Sequence, residues 1–276
     1  MVKIIADSGC DLTLEQARFL DVEIIPLHIE YNEKTYLDRL EIEPDALYQI
    51  LKNNDRLPKT SQPSPAAFMT MFEKYPNDEL VVLTIAKELS GTYQAAYLAK
   101  TMSEREDIYI VDTQQVTMSL LYLIYEACKL RDEGRSGKEI LEKIESIKSQ
   151  IKIIAIVDTL DYLQKGGRLS KTAAIAGNFL KIKPIIGVEQ GNVVVLSKAR
   201  GKKSAIEEVF KLLEKDQIDL SRCLFGYTGE DKSVLKGFYE PILELYPFEK
   251  QEIIQIGPAI GTHVGPGAKA IVYRAK

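Results

Sequence analysis

Through the first half of the chain, short apolar runs alternate with stretches whose apolar residues recur every three to four positions. That alternation predicts strands each followed by an amphipathic helix, the pattern of βα units around a mostly parallel sheet. Strands are expected at Lys3 to Ala6, Val22 to Tyr31, Leu80 to Ile85, Ile108 to Val111 and Ile153 to Val157. Helices are expected at Leu14 to Leu20, Pro44 to Lys52, Pro65 to Tyr75, Thr92 to Met102, Val116 to Glu133 and Lys138 to Gln150. Ser64-Pro65 is the clearest helix start, because the hydroxyl can accept a first-turn amide and proline has no amide to leave unpaired.

After about residue 158 the punctuation changes. Gln190-Gly191-Asn192 between two β-rich runs predicts a hairpin of Pro184 to Glu189 and Val193 to Ser197. A helix at Lys202 to Glu214, a strand at Cys223 to Tyr227, a helix at Lys232 to Tyr246 and strands at Glu252 to Ile256 and Ala270 to Tyr273 complete a second unit, in which antiparallel pairing is expected. The reading is a two-domain α/β protein, 1–158 with a mostly parallel sheet and 159–276 with a mixed one. No Pro- or Gly-rich tether separates them, so the connection should be tight.

The 276 residues, 45% hydrophobic and 28% charged, suit a folded globular chain rather than disorder or a coiled coil. Lys+Arg 36 against Asp+Glu 40, with no basic block, argues against nucleic acid as a partner. His28 and His263 are the only histidines, so no His-rich metal site is expected, and no cofactor motif stands out. Cys10, Cys128 and Cys223 are far apart and odd in number, which fits a reducing cytoplasm without a disulfide framework. No apolar run approaches the roughly 18 residues of a membrane span or forms an export signal.

Four segments carry hydroxyls and glycines beyond what a connector needs. Lys59-Thr60-Ser61-Gln62-Pro63-Ser64-Pro65 puts two hydroxyls beside a helix start, a place for one anionic group, although taken alone it reads first as a capped turn. Leu89-Ser90-Gly91-Thr92-Tyr93 follows a strand, where open α/β sheets hold ligands. Gly166-Gly167-Arg168-Leu169-Ser170-Lys171 joins a turn to two cations, suited to a phosphate or an acidic partner surface. Gly257 to Ala268 reads as a rigid Gly/Pro loop around His263. Ala173 to Leu180 is apolar almost all round and predicts a helix that is buried or lines an apolar cavity. Neither Asp7-Ser8-Gly9-Cys10 nor Leu89-Ser90-Gly91 supplies a nucleophile elbow.

Ile5-Ala6-Asp7-Ser8, Ile25-Pro26-Leu27, Thr60-Ser61-Gln62-Pro63, Ser90-Gly91-Thr92-Tyr93, Lys165-Gly166-Gly167-Arg168, Ile182-Lys183-Pro184, Gly261-Thr262-His263 and Gly265-Pro266-Gly267-Ala268 together resemble the DegV family over the whole chain. That family includes the fatty acid-binding subunits of bacterial fatty acid kinase. The resemblance implies a non-catalytic lipid-binding subunit that holds one long-chain fatty acid in a tunnel between its domains. A separate ATP-dependent kinase subunit would phosphorylate the carboxylate, and the acyl phosphate would feed phospholipid synthesis. Carried onto this sequence, the carboxylate contacts fall on Thr60, Ser90, His263 and Arg200, with Ser61, Gly91, Thr92, Thr262, Ile175 and Phe179 lining the pocket and Arg168 and Lys171 docking the kinase. Gly9-Cys10 departs from the family's usual Ser or Thr, which leaves the role of that loop open. The competing expectation is a transferase or hydrolase acting on a small acyl or phosphorylated substrate at the same cluster.

Overall fold

The computed structural model describes residues 1–53, 56–169 and 182–276. In chain order its elements are β1 (Val2–Asp7), α1 (Leu14–Phe19), β2 (Val22–Ile25), β3 (His28–Tyr31), β4 (Lys34–Leu37), α2 (Pro44–Asn53), β5 (Lys59–Ser61), α3 (Pro65–Glu73), β6 (Glu79–Thr84), α4 (Thr92–Ser103), β7 (Ile108–Asp112), α5 (Met118–Asp132), α6 (Gly137–Ile147), β8 (Ile151–Ile156), α7 (Asp161–Lys165), β9 (Ile182–Glu189), β10 (Asn192–Arg200), α8 (Lys202–Leu213), β11 (Ile218–Tyr227), α9 (Lys236–Leu245), β12 (Gln251–Gln255), α10 (Pro258–Val264) and β13 (Lys269–Ala275).

The first four-stranded sheet is entirely parallel, in the order β2-β1-β6-β7. Its central strands are covered on both faces, and Ile4, Ile5, Val81 and Val82 are fully buried, which explains why they read as continuous apolar runs. The chain leaves β1 for β2 on one side and later returns to β6 on the other. At such a reversal the crevice beyond the carboxyl ends of the strands is the natural place for a ligand. Local starts follow the sequence: Ser64 accepts from the Ala67 amide, and capping boxes at Thr13/Gln16 and Ser136/Glu139 open α1 and α6.

The structure corrects three expectations. Val22 to Tyr31 is two strands, not one: Pro26 lies between β2, in the parallel sheet, and β3, which pairs with β4 and β5 in a separate antiparallel sheet. Proline cannot donate to a ladder, so the chain changes sheets there. The strand at 151–156, placed by the sequence in the first unit, pairs with β9 and β13 in the six-stranded sheet β10-β9-β8-β13-β11-β12, so the sheets part before residue 151 rather than after 158. Gly257 to Ala268 is not a loop throughout; it contains α10, which opens on Pro258. The hairpin is where the sequence puts it, turning at Gln190 and Gly191, both with positive φ (48° and 80°), as a tight right-twisted turn requires. The expected helix at Ala173 to Leu180 lies outside the described residues.

Helix α5 packs between the parallel and mixed sheets, touching β1 and β6 on one side and β8, β11 and β13 on the other. Leu120, Leu121, Leu123, Ile124 and Ala127 are all fully buried, and one apolar core runs from Ile4 and Leu83 through α5 to Leu224 and Val272. Sandwiched in this way, the helix is buried over 118–124 and exposes Lys129 and Asp132 only toward its end.

A buried polar junction joins the layers beside that core. Asp7 accepts from the amides of Gly9 (2.9 Å) and Ile85 (2.7 Å), which ties the ends of β1 and β6. Ser8 Oγ accepts from Leu27 N–H (3.0 Å) and donates to Asp38 (2.6 Å), whose other oxygen accepts from Ala259 N–H in α10 (3.2 Å). Asp11 accepts from Gly257 N–H (2.8 Å), from Arg39 (3.4 Å) and from the Thr117 hydroxyl. Burial pushes the carboxyls of Asp7 and Asp38 up to about 7, with the hydrogen bonds from Ile85 and Ser8 pulling the other way.

A folded pKa above the unfolded value means that the native state holds the proton more tightly. The stabilisation tied to Asp38 is therefore complete below about 3.8 and is lost as pH rises to about 7. Comparing wild type with Asp38→Asn cancels the other titrating groups: the variant's denaturation midpoint should fall less steeply between pH 4 and 7. Parallel midpoint curves would show that Asp38 does not hold its proton in the folded protein.

Candidate functional site

Beyond the carboxyl ends of β1 and β6, a cavity opens against the inner face of the mixed sheet. It holds about 990 Å³ of space between protein atoms, open solvent at its mouth included. Its wall is mostly hydrocarbon: Ile85, Met118, Ile153, Ile186 and Ala270 are buried there. Thr60, Ser61, Ser90, Arg168 and His263 supply polar groups, and all are partly open to solvent. Apolar depth and a partly hydrated polar end together suit an amphiphile.

The polar end is assembled from β5, the start of α4, the turn after α7 and the last turn of α10. Thr60 Oγ1 lies 2.6 Å from His263 Nε2. The His263 ring packs over Gly166 so closely that a Cβ there would fall 2.2 Å from Nδ1; glycine is required at that position. Arg168, two residues on, donates from Nε to Leu89 O (3.0 Å) and from Nη1 to Gly166 O (2.7 Å), bringing the Gly-Gly-Arg turn against the segment that carries Ser90. Ser90 Oγ and Thr92 Oγ1 are 2.8 Å apart, while Gly91 is the N-cap and no side chain caps α4. Ser61 donates to Glu30 (3.3 Å).

Burial, and next the Arg168 cation, push the His263 pKa down to about 4, so the ring is neutral at physiological pH. Its Nδ1 is buried with no hydrogen-bond partner among the described residues. An orphaned N–H is rarer than an orphaned lone pair, which assigns the single proton to Nε2, donating to Thr60. The Thr60 hydroxyl proton is then left to serve a ligand oxygen. Hydroxyl donors, a neutral imidazole that orients one of them, and a nearby guanidinium can hold a carboxylate without consuming its charge.

Thr60, Ser61, Ser90 and His263 thus fall together on the cavity wall. Gly91, Thr92 and Thr262 lie close by but outside the wall; Thr262 is buried and donates to Pro258 O (2.9 Å). Arg168, expected on a docking surface, lines the cavity, its guanidinium held by two carbonyls. Arg200, expected at the carboxylate, is exposed at the end of β10 and outside the wall, since the β9–β10 ladder carries that end away. Ile175, Phe179 and Lys171 lie outside the described residues. Sequence reading missed Met118, Thr117 and Gly226. Glycine in the middle of the β11 run was an available signal, since a strand glycine marks a close approach; nothing in the sequence marked Thr117, whose φ of 54° is uncommon for a β-branched residue.

A family model described as "Uncharacterised protein, DegV family" matches residues 1–276. The chain belongs to the DegV family. A DegV domain-containing protein of Clostridium acetobutylicum is 32% identical over 279 residues, covering 100% of this chain and 99% of that protein. A structure titled as fatty acid binding of a DegV family protein from Thermus thermophilus superposes with a TM-score of 0.91 at 29% identity, covering 100% of this chain and 99% of the other. The fatty acid kinase B3 protein of Streptococcus pneumoniae, loaded with linoleic acid, shares the fold with a TM-score of 0.87 at 24% identity over 100% of both chains. In this DegV protein no helix among the described residues is long and apolar enough to cross a membrane.

The tautomer is directly measurable. Nitrogen-15 NMR of the His263 ring should show the neutral Nε2–H form from pH 8 down to about 4, where the ring gains its second proton. A Nδ1–H form would show that Thr60 donates to the ring and has no proton left for a ligand, and titration near 6.5 would show that burial does not hold the ring neutral.

Proposed function

We propose that the cavity holds one long-chain fatty acid, tail inward, with its carboxylate at Thr60, Ser90 and the Thr60–His263 pair. The observation that carries this reading is a deep hydrocarbon wall ending in hydroxyls and a neutral imidazole. Burying each methylene contributes about 0.8 kcal/mol, so a long tail supplies affinity while the polar end sets orientation. The fatty acid binding described for the Thermus thermophilus relative, at 29% identity over the full chain, supports it.

The protein then acts as a subunit that presents the carboxylate to a separate ATP-dependent kinase. One carboxylate oxygen attacks the γ-phosphorus of ATP, its bond to the β-phosphate oxygen breaks, and ADP leaves, giving an acyl phosphate for phospholipid synthesis. Hydroxyl donors support this role, because they hold one oxygen and leave the other unbonded. Exposure of Arg200 at the end of β10 suits a contact with the kinase, while Arg168 stands on the cavity wall.

The double variant Thr60→Ala, Ser90→Ala should keep its fold and still take up fatty acid through the tail, yet lose kinase-dependent acyl phosphate at least tenfold. Product release from an acyl or phosphate ester by the protein alone, without kinase, would favour a transferase or hydrolase instead. Solvent extraction and mass spectrometry of purified protein, with titration of delipidated protein, should give about one fatty acid per chain; no bound lipid and no uptake would overturn the reading.

A further inference from the structure

We propose that Met118, seated on Gly226, is the stop that sets the length of acyl chain the cavity accepts; this rests on the fatty acid reading above. Strand register aligns Ile254, Gly226, Ala270, Ala155, Ile186 and Val195 in one row across the mixed sheet. Directly opposed residues of neighbouring strands point to the same face. Three consecutive members of the row are Gly, Ala and Ala between isoleucines, so the sheet surface is hollowed there into a trough running across the strands. The next row under α5, Leu224, Val272 and Ile153, is bulky and forms one flank.

Ile186, Ala155, Ala270 and Gly226 all line the cavity, whereas Ile254, the next residue along, does not. The trough therefore ends at Gly226. Arg168 and Ser90 lie toward its other end. Arg168 precedes Leu169, which bridges to Val193 on β10, and Gly191 in the hairpin turn sits against Ala86 and Glu88, just before Leu89 and Ser90. A chain held by its carboxylate at Ser90 and Thr60 thus runs along the trough toward Gly226.

At that end the space is occupied by Met118. A Cβ on Gly226 would lie 2.4 Å from Met118 Cε, 2.5 Å from its Sδ and 3.1 Å from Ile256 Cδ1. The thioether fills the place a side chain on Gly226 would take, and Ile256 backs it. Methionine is unbranched and adapts its shape, but it still occupies volume that a terminal methyl would need.

Each further methylene that can be buried tightens binding about fourfold. The test loads delipidated full-length protein with an equimolar series of saturated fatty acids from about twelve to about twenty carbons, then quantifies the extracted lipid by mass spectrometry. Met118→Ala removes three heavy atoms from the stop and should move the preferred length up by about two carbons. Gly226→Ala pushes the thioether into the trough and should move it down by a similar amount, and Met118→Leu, which keeps the volume, should leave it in place. Circular dichroism checks folding, and because the two shifts oppose each other, either variant alone can decide. An unchanged length distribution in folded Met118→Ala or Gly226→Ala overturns the assignment of the stop. Failure of wild type to take up any acid in the series overturns the fatty acid reading itself.

Discussion

One buried carboxylate, Asp11, ties together parts of the chain that are remote in sequence. It accepts from the amide of Gly257 just before α10, from the guanidinium of Arg39, and from the hydroxyl of Thr117 at the start of α5. Arg39 in turn donates to Gln255 O (3.0 Å), beside β12. A carboxylate taken out of water at this cost persists only where every oxygen is paired. The consequence is positional. The elements that carry His263 and Met118, both on the cavity wall, start from the same anchor.

The cavity itself follows from a mismatch between layers. The parallel sheet ends at Asp7 and Thr84, and the mixed sheet presents small residues opposite that edge, so the two cannot close on one another. Helix α5, which begins at Met118, fills the space on one side with buried leucines and isoleucine. Past that start no large side chain among the described residues fills the gap, and the wall stays mostly apolar because the strands of the mixed sheet turn apolar residues inward. Most of its polar groups enter where β5, α4, the turn after α7 and α10 meet, with Thr117, Thr228 and Lys269 elsewhere on the wall.

Much of the fold was legible because periodicity and caps are local. Ser64-Pro65, the Gln190-Gly191 turn and the strands around Ile4, Val82 and Ile110 appear where the pattern puts them. Pairing partners were not legible: β8 has the same apolar run as the strands before it, yet its neighbours are β9 and β13. Within the site, Thr60, Ser90 and His263 could be picked out because hydroxyls and a lone histidine among glycines are unusual in a connector. Arg168 and Arg200 could not be sorted, since both are cations beside turns and only the course of the backbone sends one inward and the other out.

The chain alone determined an α/β architecture, the hydroxyl, glycine and histidine motifs that mark the polar end, and the family to which those motifs belong. These are properties of residues within a few positions of one another, where hydrogen bonding, backbone freedom and burial period are already decided. Only the tertiary structure decided that Thr60 meets His263 across 203 positions, that Gly166 makes room for that imidazole, and that Gly226, Ala270 and Ala155 align into a trough. Such contacts depend on sheet order and strand register, which long-range packing selects and no local pattern encodes.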